Sequence, residues 1–230
     1  KVNSRKLLND ILDYCGVEKE RQEAVILSID KLEKFGADAV KNELKEQNLD
    51  GKKIGTILIL INIKGSNEEK ISQLKKLLKN SDGLMEIEEV LSYAKNSGLG
   101  AELDISLARG LAYYTGTVFE GLLKNSSVKS SVCGGGRYDG MIGSFLGKGN
   151  YPAVGISSGV DRIYDALIEK QETKQEARQR TNTQVYIIPI KALNEGIKTA
   201  WQLRDAGIKT DMDANDKSPS KNLEFANSLG

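Results

Sequence analysis

An arginine followed closely by two tyrosines is the first feature of this sequence that could do chemistry. Arg109 stands in the segment SLARGLAYYTGTVFEG, shortly before Tyr113 and Tyr114. A guanidinium offers a planar fork of donors that suits a carboxylate or a phosphate. The alternative, with about equal weight, is a structural ion pair with Asp104 or Glu120. The segment alternates like a strand, so one tyrosine is expected to face a pocket and the other the core; a core role for both is the alternative.

A run of three glycines is the second feature. The segment CGGGRYDGMIG begins at Cys133, and its glycines allow a close backbone approach and positive φ angles. We therefore predict a turn, for which an ordinary hairpin is the simpler interpretation. The spacing differs from that of a phosphate-binding P-loop. Tyr138 brings a hydroxyl that can orient a polar ligand, and Asp139 is expected to cap the turn before Met141.

The third feature is a glycine-spaced strand that leads into a helix. The segment PAVGISSGVDRIYDAL places Gly155 and Gly159 just before the predicted helix. A flat ring can lie on backbone that carries no side chain. Arg162 falls in the first helical turn, where it adds a cation to the positive end of the helix dipole and suits a terminal phosphate. A helix-surface arginine is the alternative. We expect Arg109, Tyr114 and Arg162 to converge on one cavity.

The composition excludes several classes of enzyme. The chain of 230 residues contains no histidine, which removes the commonest general base, the Ser-His and Cys-His nucleophile pairs and the usual catalytic zinc sites. A formal net charge of +1 means that any contact with RNA must come from local patches. Cys15 and Cys133 are too few for a disulfide framework. With no visible secretory signal and no apolar run long enough for a bilayer, we expect a cytoplasmic protein that does not bind membranes.

The first part of the chain is predicted to be mostly helical. Residues 1–16 contain an amphipathic helix with Ser4 as its N-cap. Residues 17–97 are interpreted as one helical subdomain, with helices predicted at 18–35, 37–47, 67–79 and 84–96. Within it, the β-branched residues of GTILILINIKG favour a strand over a buried helix.

The pattern then changes to short strands. Residues 98–170 are predicted to form an antiparallel sheet and a closing helix, with strands at 103–107, 113–122, 128–133 and 153–157 and the helix at 160–170. The polar residues 171–183 are interpreted as a linker. Residues 184–230 begin a βαβ unit, which implies a parallel pair of strands and a partial α/β domain.

The order and spacing of these three segments resemble those of histidyl-tRNA synthetases, which are class II enzymes. RGLxYYTGTVFE, GGGRYDG and a glycine-rich strand ending in GxDR correspond to the histidine motifs and to motif 3 of that family. NSRKLLNDIL resembles the segment that enters the family's helical insertion, and LRDAGIKTDMD resembles the opening of its anticodon-binding domain. The resemblance covers essentially the whole chain. It implies an α+β fold with a partial antiparallel catalytic core, a helical insertion and the start of an α/β anticodon-binding domain.

The resemblance also implies a function. A member of this family activates L-histidine with ATP to histidyl-adenylate and transfers it to tRNA(His), usually as a homodimer. Arg109 would contact the α-phosphate and the histidine carboxylate as the catalytic residue. Tyr113, Tyr114 and Tyr138 would bind histidine with it. Gly155, Gly159 and Arg162 would bind ATP, with Arg162 on the γ-phosphate. Mg²⁺ would bridge phosphates, and Glu120 is only a guess as its protein ligand.

Two departures from the family pattern qualify this expectation. Ala112 stands where the family often has an aspartate. The sequence also begins after the region that carries motifs 1 and 2, so the 230 residues alone are expected to be inactive or nearly so. The alternatives are a histidine-sensing paralogue, like the regulatory subunit of ATP phosphoribosyltransferase, and a pseudo-synthetase domain that binds tRNA without catalysis.

Overall fold

The computed structural model describes residues 1–169, 183–215 and 217–228. The chain divides into two compact units, one of Lys1–Glu89 with Glu102–Thr173 and one of Val90–Ala101 with Lys174–Gly230. The predicted linker at 171–183 lies outside the described residues except for its last position. The predicted boundaries of the helical subdomain and of the C-terminal segment stay predictions.

The first unit contains an antiparallel sheet of four strands. Its strands pair in the order β1-β2-β3-β4, with Val118 opposite Gly136 and Gly134 opposite Ser157. The sheet together with the helices around it confirms the predicted α+β class. The strands are β1 (Val2–Ser4), β2 (Thr117–Gly121), β3 (Cys133–Arg137) and β4 (Val154–Ser158).

The strand predictions locate the sheet but miss several boundaries. In place of the strand expected at 103–107, the structure has an isolated bridge between Val2 and Leu103. The strand expected at 113–122 is shorter than predicted and covers only β2. The prediction of a strand at 128–133 and a glycine turn after it is wrong, because the three glycines are the middle of β3. Their role is to make space: a Cβ at Gly135 would overlap the carbonyl oxygen of Gly155 in β4. Without side chains, the two strands can approach each other at this point.

Helices supply most of the remaining structure of the first unit. The helix predicted at 18–35 is in fact two helices, and the second of them is kinked at Gly36, whose φ is 80°. The bounds are α1 (Arg5–Tyr14), α2 (Lys19–Ile29), α3 (Leu32–Glu46), α4 (Gly51–Ile61), α5 (Asn67–Leu77), α6 (Asp82–Asn96, which continues into the second unit), α7 (Met141–Leu146) and α8 (Val160–Glu169).

The strand favoured within GTILILINIKG is wrong, because this segment lies in α4 and the turn after it. The carboxylate of Asp50 caps the helix by accepting from the backbone nitrogens of Lys52 and Lys53, at 3.0 and 3.3 Å. Ile54 and Ile57 are buried at helical spacing. A continuous apolar run does not distinguish a buried helix from a strand, and here the cap and the packing decide for the helix.

The interior of the first unit fixes the segment that leads to Arg109. Leu7, Leu8, Ile11 and Leu12 of α1 are fully buried, each worth about 1.5–3 kcal/mol of transfer free energy. From the neighbouring β1, the buried amide of Asn3 donates to the carbonyl oxygens of residues 105 and 107, at 3.0 and 2.9 Å. The irregular chain before Arg109 is thus held by the side chain of Asn3 in addition to the short backbone bridge at Val2.

The second unit contains a parallel strand pair, as the βαβ pattern predicts. β5 (Val185–Ile187) pairs with β6 (Thr210–Met212), and α9 (Leu193–Asp205) connects them. A further helix, α10 (Pro219–Ser228), follows. Among the described residues of the whole chain, no helix is long and apolar enough to span a bilayer.

Candidate functional site

Side chains of the predicted site pack against glycines on one face of the sheet. Gly134 and Gly136 are two apart in β3 and therefore point to the same face. A Cβ at Gly134 would overlap the guanidinium of Arg109, and a Cβ at Gly136 would come within 2.9 Å of the ring of Tyr114. Gly134 and Gly136 thus leave the space that Arg109 and Tyr114 occupy. Together with Gly155 of β4 they form a surface that we call the glycine floor.

Tyr138 lies on a third glycine of the same face. Gly155 of β4 is the partner of Gly136 in the strand register, and a Cβ on it would overlap the hydroxyl of Tyr138. Tyr138 also meets Tyr113 edge to face, with ring centroids 5.8 Å apart and an angle of 83° between the planes. The rings of Tyr113 and Tyr114 are tilted, with centroids 4.7 Å apart. All three predicted tyrosines therefore form one cluster.

A small pocket of about 190 Å³ opens beside this cluster, and we call it the tyrosine pocket. The prediction that Tyr113 and Tyr114 lie on opposite faces of a strand is wrong, because both precede β2 in a turn. Tyr114 is buried and Tyr113 is partly exposed. The hydroxyl of Tyr114 raises the pKa of Tyr113. The residues lining the pocket include Tyr113, Tyr114, Tyr138, Met141, Gly155 and Ser157.

Arg109 forms an ion pair beside the tyrosine pocket. Its Nη1 donates to Oε1 of Glu120 at 2.7 Å, and each side chain is 20% exposed. Of the two ion-pair partners proposed from sequence, the structure places Glu120 here, whereas Asp104 pairs with Lys1. The Nε of Arg109 is buried without a hydrogen-bond partner among the described residues. The backbone of Arg109 is left-handed, with φ of 51°. Because the side chain keeps part of its surface exposed, its guanidinium remains able to bind an anion.

Arg162 lines a second, larger pocket of about 470 Å³. Its exposed side chain donates to the carbonyl oxygen of Ser131, and Glu120 lines the same pocket. Gly159 lies beside it, with its nitrogen donating to Val132 at 2.8 Å. The expected single cavity is therefore two pockets. The Arg109–Glu120 pair stands between them, because Arg109 covers the floor of the tyrosine pocket and Glu120 reaches the larger one.

Three residues around Tyr138 hold the end of β3 in place, and sequence reasoning gave them no such role. Both carboxylate oxygens of Asp139 accept from Nε of Arg137 at 2.9 Å. This hydrogen bond is the main reason that the pKa of Asp139 falls below its usual value. The hydroxyl of Thr115 accepts from the backbone nitrogen of Asp139 at 3.0 Å. The predicted capping role of Asp139 is wrong, since Gly140 is the N-cap of α7.

Glu86 of α6 ties the sheet to the helices below Arg137. It accepts hydrogen bonds from the hydroxyls of Ser4 and Thr117, at 3.0 and 2.8 Å, and pairs with Lys6 at 2.8 Å. Burial opposes ionisation, but these partners outweigh it and hold the pKa of Glu86 below its usual value. Nothing in the sequence pattern links α6 to β2, so only the fold reveals this contact.

The described residues contain no group of three or more histidine, cysteine, aspartate or glutamate side chains that could hold a metal ion. Glu120, the guess for a Mg²⁺ ligand, is occupied by Arg109. In the described part of the chain, this carboxylate would have to leave the arginine before it could bind a metal ion.

Comparison with known proteins places this arrangement in context. A family model described as histidyl-tRNA synthetase matches residues 1–163. The histidine–tRNA ligase of Clostridium tetani is 36% identical over all of this chain, and histidine–tRNA ligase 2 of Shouchella clausii is 39% identical over 98% of it. The alignments cover 53% of each relative, so the chain spans about half the length of the curated relatives it matches.

Solved structures agree with the fold. The crystal structure of histidyl-tRNA synthetase from Nostoc sp. PCC 7120 matches all of this chain and 56% of its own, with a TM-score of 0.65 and 29% identity. An ATP phosphoribosyltransferase regulatory subunit/histidyl-tRNA synthetase from Bacillus halodurans matches 97% of this chain and 56% of its own, with a TM-score of 0.55. At 20% identity, this second likeness shows the fold alone.

Proposed function

Because the chain belongs to the histidyl-tRNA synthetase family, we propose that it carries part of the active site of a histidine–tRNA ligase. Such an enzyme activates L-histidine with ATP, releases pyrophosphate and transfers the histidyl group to tRNA(His). The observation that carries the proposal is the glycine floor, on which Arg109, Tyr114 and Tyr138 lie together at the positions of the family's histidine motifs. The substrates, the homodimer and the cytoplasmic location belong to the same proposal.

The tyrosine pocket is the proposed site for the imidazole of histidine. Its small volume suits one flat ring, and glycine backbone forms its floor. Tyr113, Tyr114 and Tyr138 each provide an aromatic face together with a hydroxyl that can donate or accept a hydrogen bond. A site that must hydrogen-bond its substrate rejects apolar amino acids of the same size, because they would leave its polar groups unpaired.

Arg109 is the proposed catalytic residue. When the histidine carboxylate attacks the α-phosphate of ATP, negative charge grows on the phosphate oxygens, and a preorganised cation stabilises it. The ion pair with Glu120 and the contact with the backbone of Gly134 hold Arg109 close to the tyrosine pocket. This role requires no general base, which is consistent with the absence of histidine from the chain.

ATP is proposed to bind next to Arg109, along β4 and the start of α8. Gly159 carries no side chain beside Arg162, and the exposed guanidinium of Arg162 can turn toward a γ-phosphate by exchanging its hydrogen bond to Ser131. The Mg²⁺ of this reaction enters as a complex with ATP. The two-pocket arrangement is consistent with an amino acid on one side of Arg109 and a nucleotide on the other.

The rival functions have less support. The curated relatives reported above carry the name histidine–tRNA ligase, and the likeness to a regulatory subunit rests on fold. Thermal unfolding with added ligands separates the possibilities, because a ligand that binds only the folded chain raises its melting temperature. We expect L-histidine with MgATP to stabilise the chain more than either ligand alone. Full stabilisation by L-histidine alone would favour a sensor, and no response to L-histidine relative to L-glutamine would contradict the proposal.

A further inference from the structure

Tyr138 directly follows β3 and contributes its phenol to the tyrosine pocket, and an ion pair joins the residues on either side of it. The ring of Tyr138 lies on Gly155 and lines the pocket, whereas its neighbours Arg137 and Asp139 are not among the residues that line it. The bifurcated hydrogen bond from Nε of Arg137 to both carboxylate oxygens of Asp139 connects the two neighbours of Tyr138.

Backbone hydrogen bonds connect this ion pair to both sides of the pocket. The nitrogen of Tyr138 donates to the carbonyl of Ala153 at 2.8 Å, and the nitrogen of Ala153 donates to Oδ1 of Asp139 at 3.3 Å. On the other side, the nitrogen of Thr115 donates to the carbonyl of Arg137 at 2.8 Å, while its hydroxyl accepts from Asp139. Asp139 thus links the start of β4 to the turn that carries Tyr113 and Tyr114.

We infer that Asp139 is a positioning residue, which sets the place of the Tyr138 hydroxyl over Gly155 without touching the substrate. The carboxylate is largely shielded, at 16% exposure, whereas Arg137 is 44% exposed. Loss of the carboxylate frees Arg137 and removes the acceptor of the Ala153 nitrogen. The end of β3 then loses its fixed direction, and the hydroxyl of Tyr138 leaves its glycine. The positioning of Tyr138 is independent of the proposed function. Only the expected effect on histidine binding rests on that function.

The test reads the surroundings of Tyr138 directly. The 230-residue chain is labelled with 3-fluorotyrosine, and the ¹⁹F resonance of Tyr138 is identified as the one missing from Tyr138→Phe. In Asp139→Ala we expect this resonance to move toward that of Tyr164, which is 61% exposed. Asp139→Asn, which keeps an oxygen acceptor, is expected to move it less. Glu88→Ala removes the exposed ion pair with Lys75 and serves as the matched control, with no change expected.

The second measurement is the affinity for L-histidine, determined by calorimetry. Asp139→Ala is expected to weaken it about tenfold, which equals about 1.4 kcal/mol. If Asp139→Ala does not fold, Arg137→Met removes the same ion pair and is expected to shift the Tyr138 resonance in the same direction. An unchanged resonance in the folded variants overturns the inference. If the resonance moves but the parent chain binds no L-histidine, the positioning role stands and the proposed function fails.

Discussion

The guanidinium of Arg109 donates to the carboxylate of Glu120 at 2.7 Å, directly above Gly134. Glu120 and Gly134 are opposite each other on neighbouring strands. Because Gly134 has no side chain, the guanidinium of Arg109 can occupy the space above it and reach the carboxylate of Glu120. A residue expected to bind phosphate is in this way held by protein before any ligand arrives. Such preorganisation reduces the rearrangement required when charge develops in the reaction.

Filling the space above β3 should displace Arg109. Gly134→Ala places a methyl group where the guanidinium lies, and overpacking of this kind costs about 1–3 kcal/mol. We expect a lower free energy of unfolding in urea and a loss of L-histidine binding. Gly140→Ala is the matched control, because a Cβ there meets no atom within 4 Å. Equal changes in unfolding free energy and in L-histidine binding for the two substitutions would refute the claim that Gly134 makes space for Arg109.

The contact between Gly155 and Tyr138 should appear as a coupling between two substitutions. Gly155→Ala is expected to weaken L-histidine binding, because its methyl group would overlap the Tyr138 hydroxyl. Tyr138→Phe removes that hydroxyl, so the stability cost of Gly155→Ala should be smaller in a Tyr138→Phe background. A double-mutant cycle of unfolding free energies measures this coupling, with about 0.5–3 kcal/mol typical of residues in contact. Strict additivity would show that the hydroxyl does not rest on Gly155.

Neutralising Glu120 should destabilise the chain. Glu120→Gln keeps the size of the side chain but removes the negative charge that is hydrogen-bonded to the partly buried guanidinium of Arg109, at a cost of about 1–3 kcal/mol. The comparison is Glu88→Gln, which weakens an exposed pair worth at most about 1 kcal/mol. Urea unfolding of both variants at the same pH checks the prediction. A smaller loss for Glu120→Gln than for Glu88→Gln would contradict it.

The stability contributed by Glu86 should depend on pH in a defined direction. Its folded-state pKa lies below the ordinary value of 4.5, so the unfolded chain binds protons more readily than the folded chain. The contribution is therefore fully present above about pH 4.5 and is lost as the pH falls through the lowered folded value. We expect the stability deficit of Glu86→Gln to be large at pH 7 and to shrink toward pH 3. A deficit that stays constant or grows in acid would exclude this account.

The sequence was most informative where function constrains residue type. The motifs located the arginine, the tyrosines and the glycines, and the period of apolar residues located most helices and the parallel pair of the second unit. The predicted glycine turn is wrong because glycines suit both turns and closely approaching strands, and the contact with Gly155 in the neighbouring strand distinguishes them. The strand favoured at α4 is wrong because an uninterrupted apolar run has no period that distinguishes a strand from a helix. The partners of Arg109 and Tyr138 come from distant parts of the chain and required the fold.

The account centres on the binding of an imidazole ring in the tyrosine pocket. The most direct test uses L-histidine labelled with ¹³C and ¹⁵N in its ring, bound to the chain in the presence of MgATP. Intermolecular nuclear Overhauser effects should connect the imidazole protons to the rings of Tyr113 and Tyr138 and should vanish in Gly155→Ala. Contacts only to residues of the larger pocket, such as Leu122 or Ile29, or no saturable binding at all, would contradict the account.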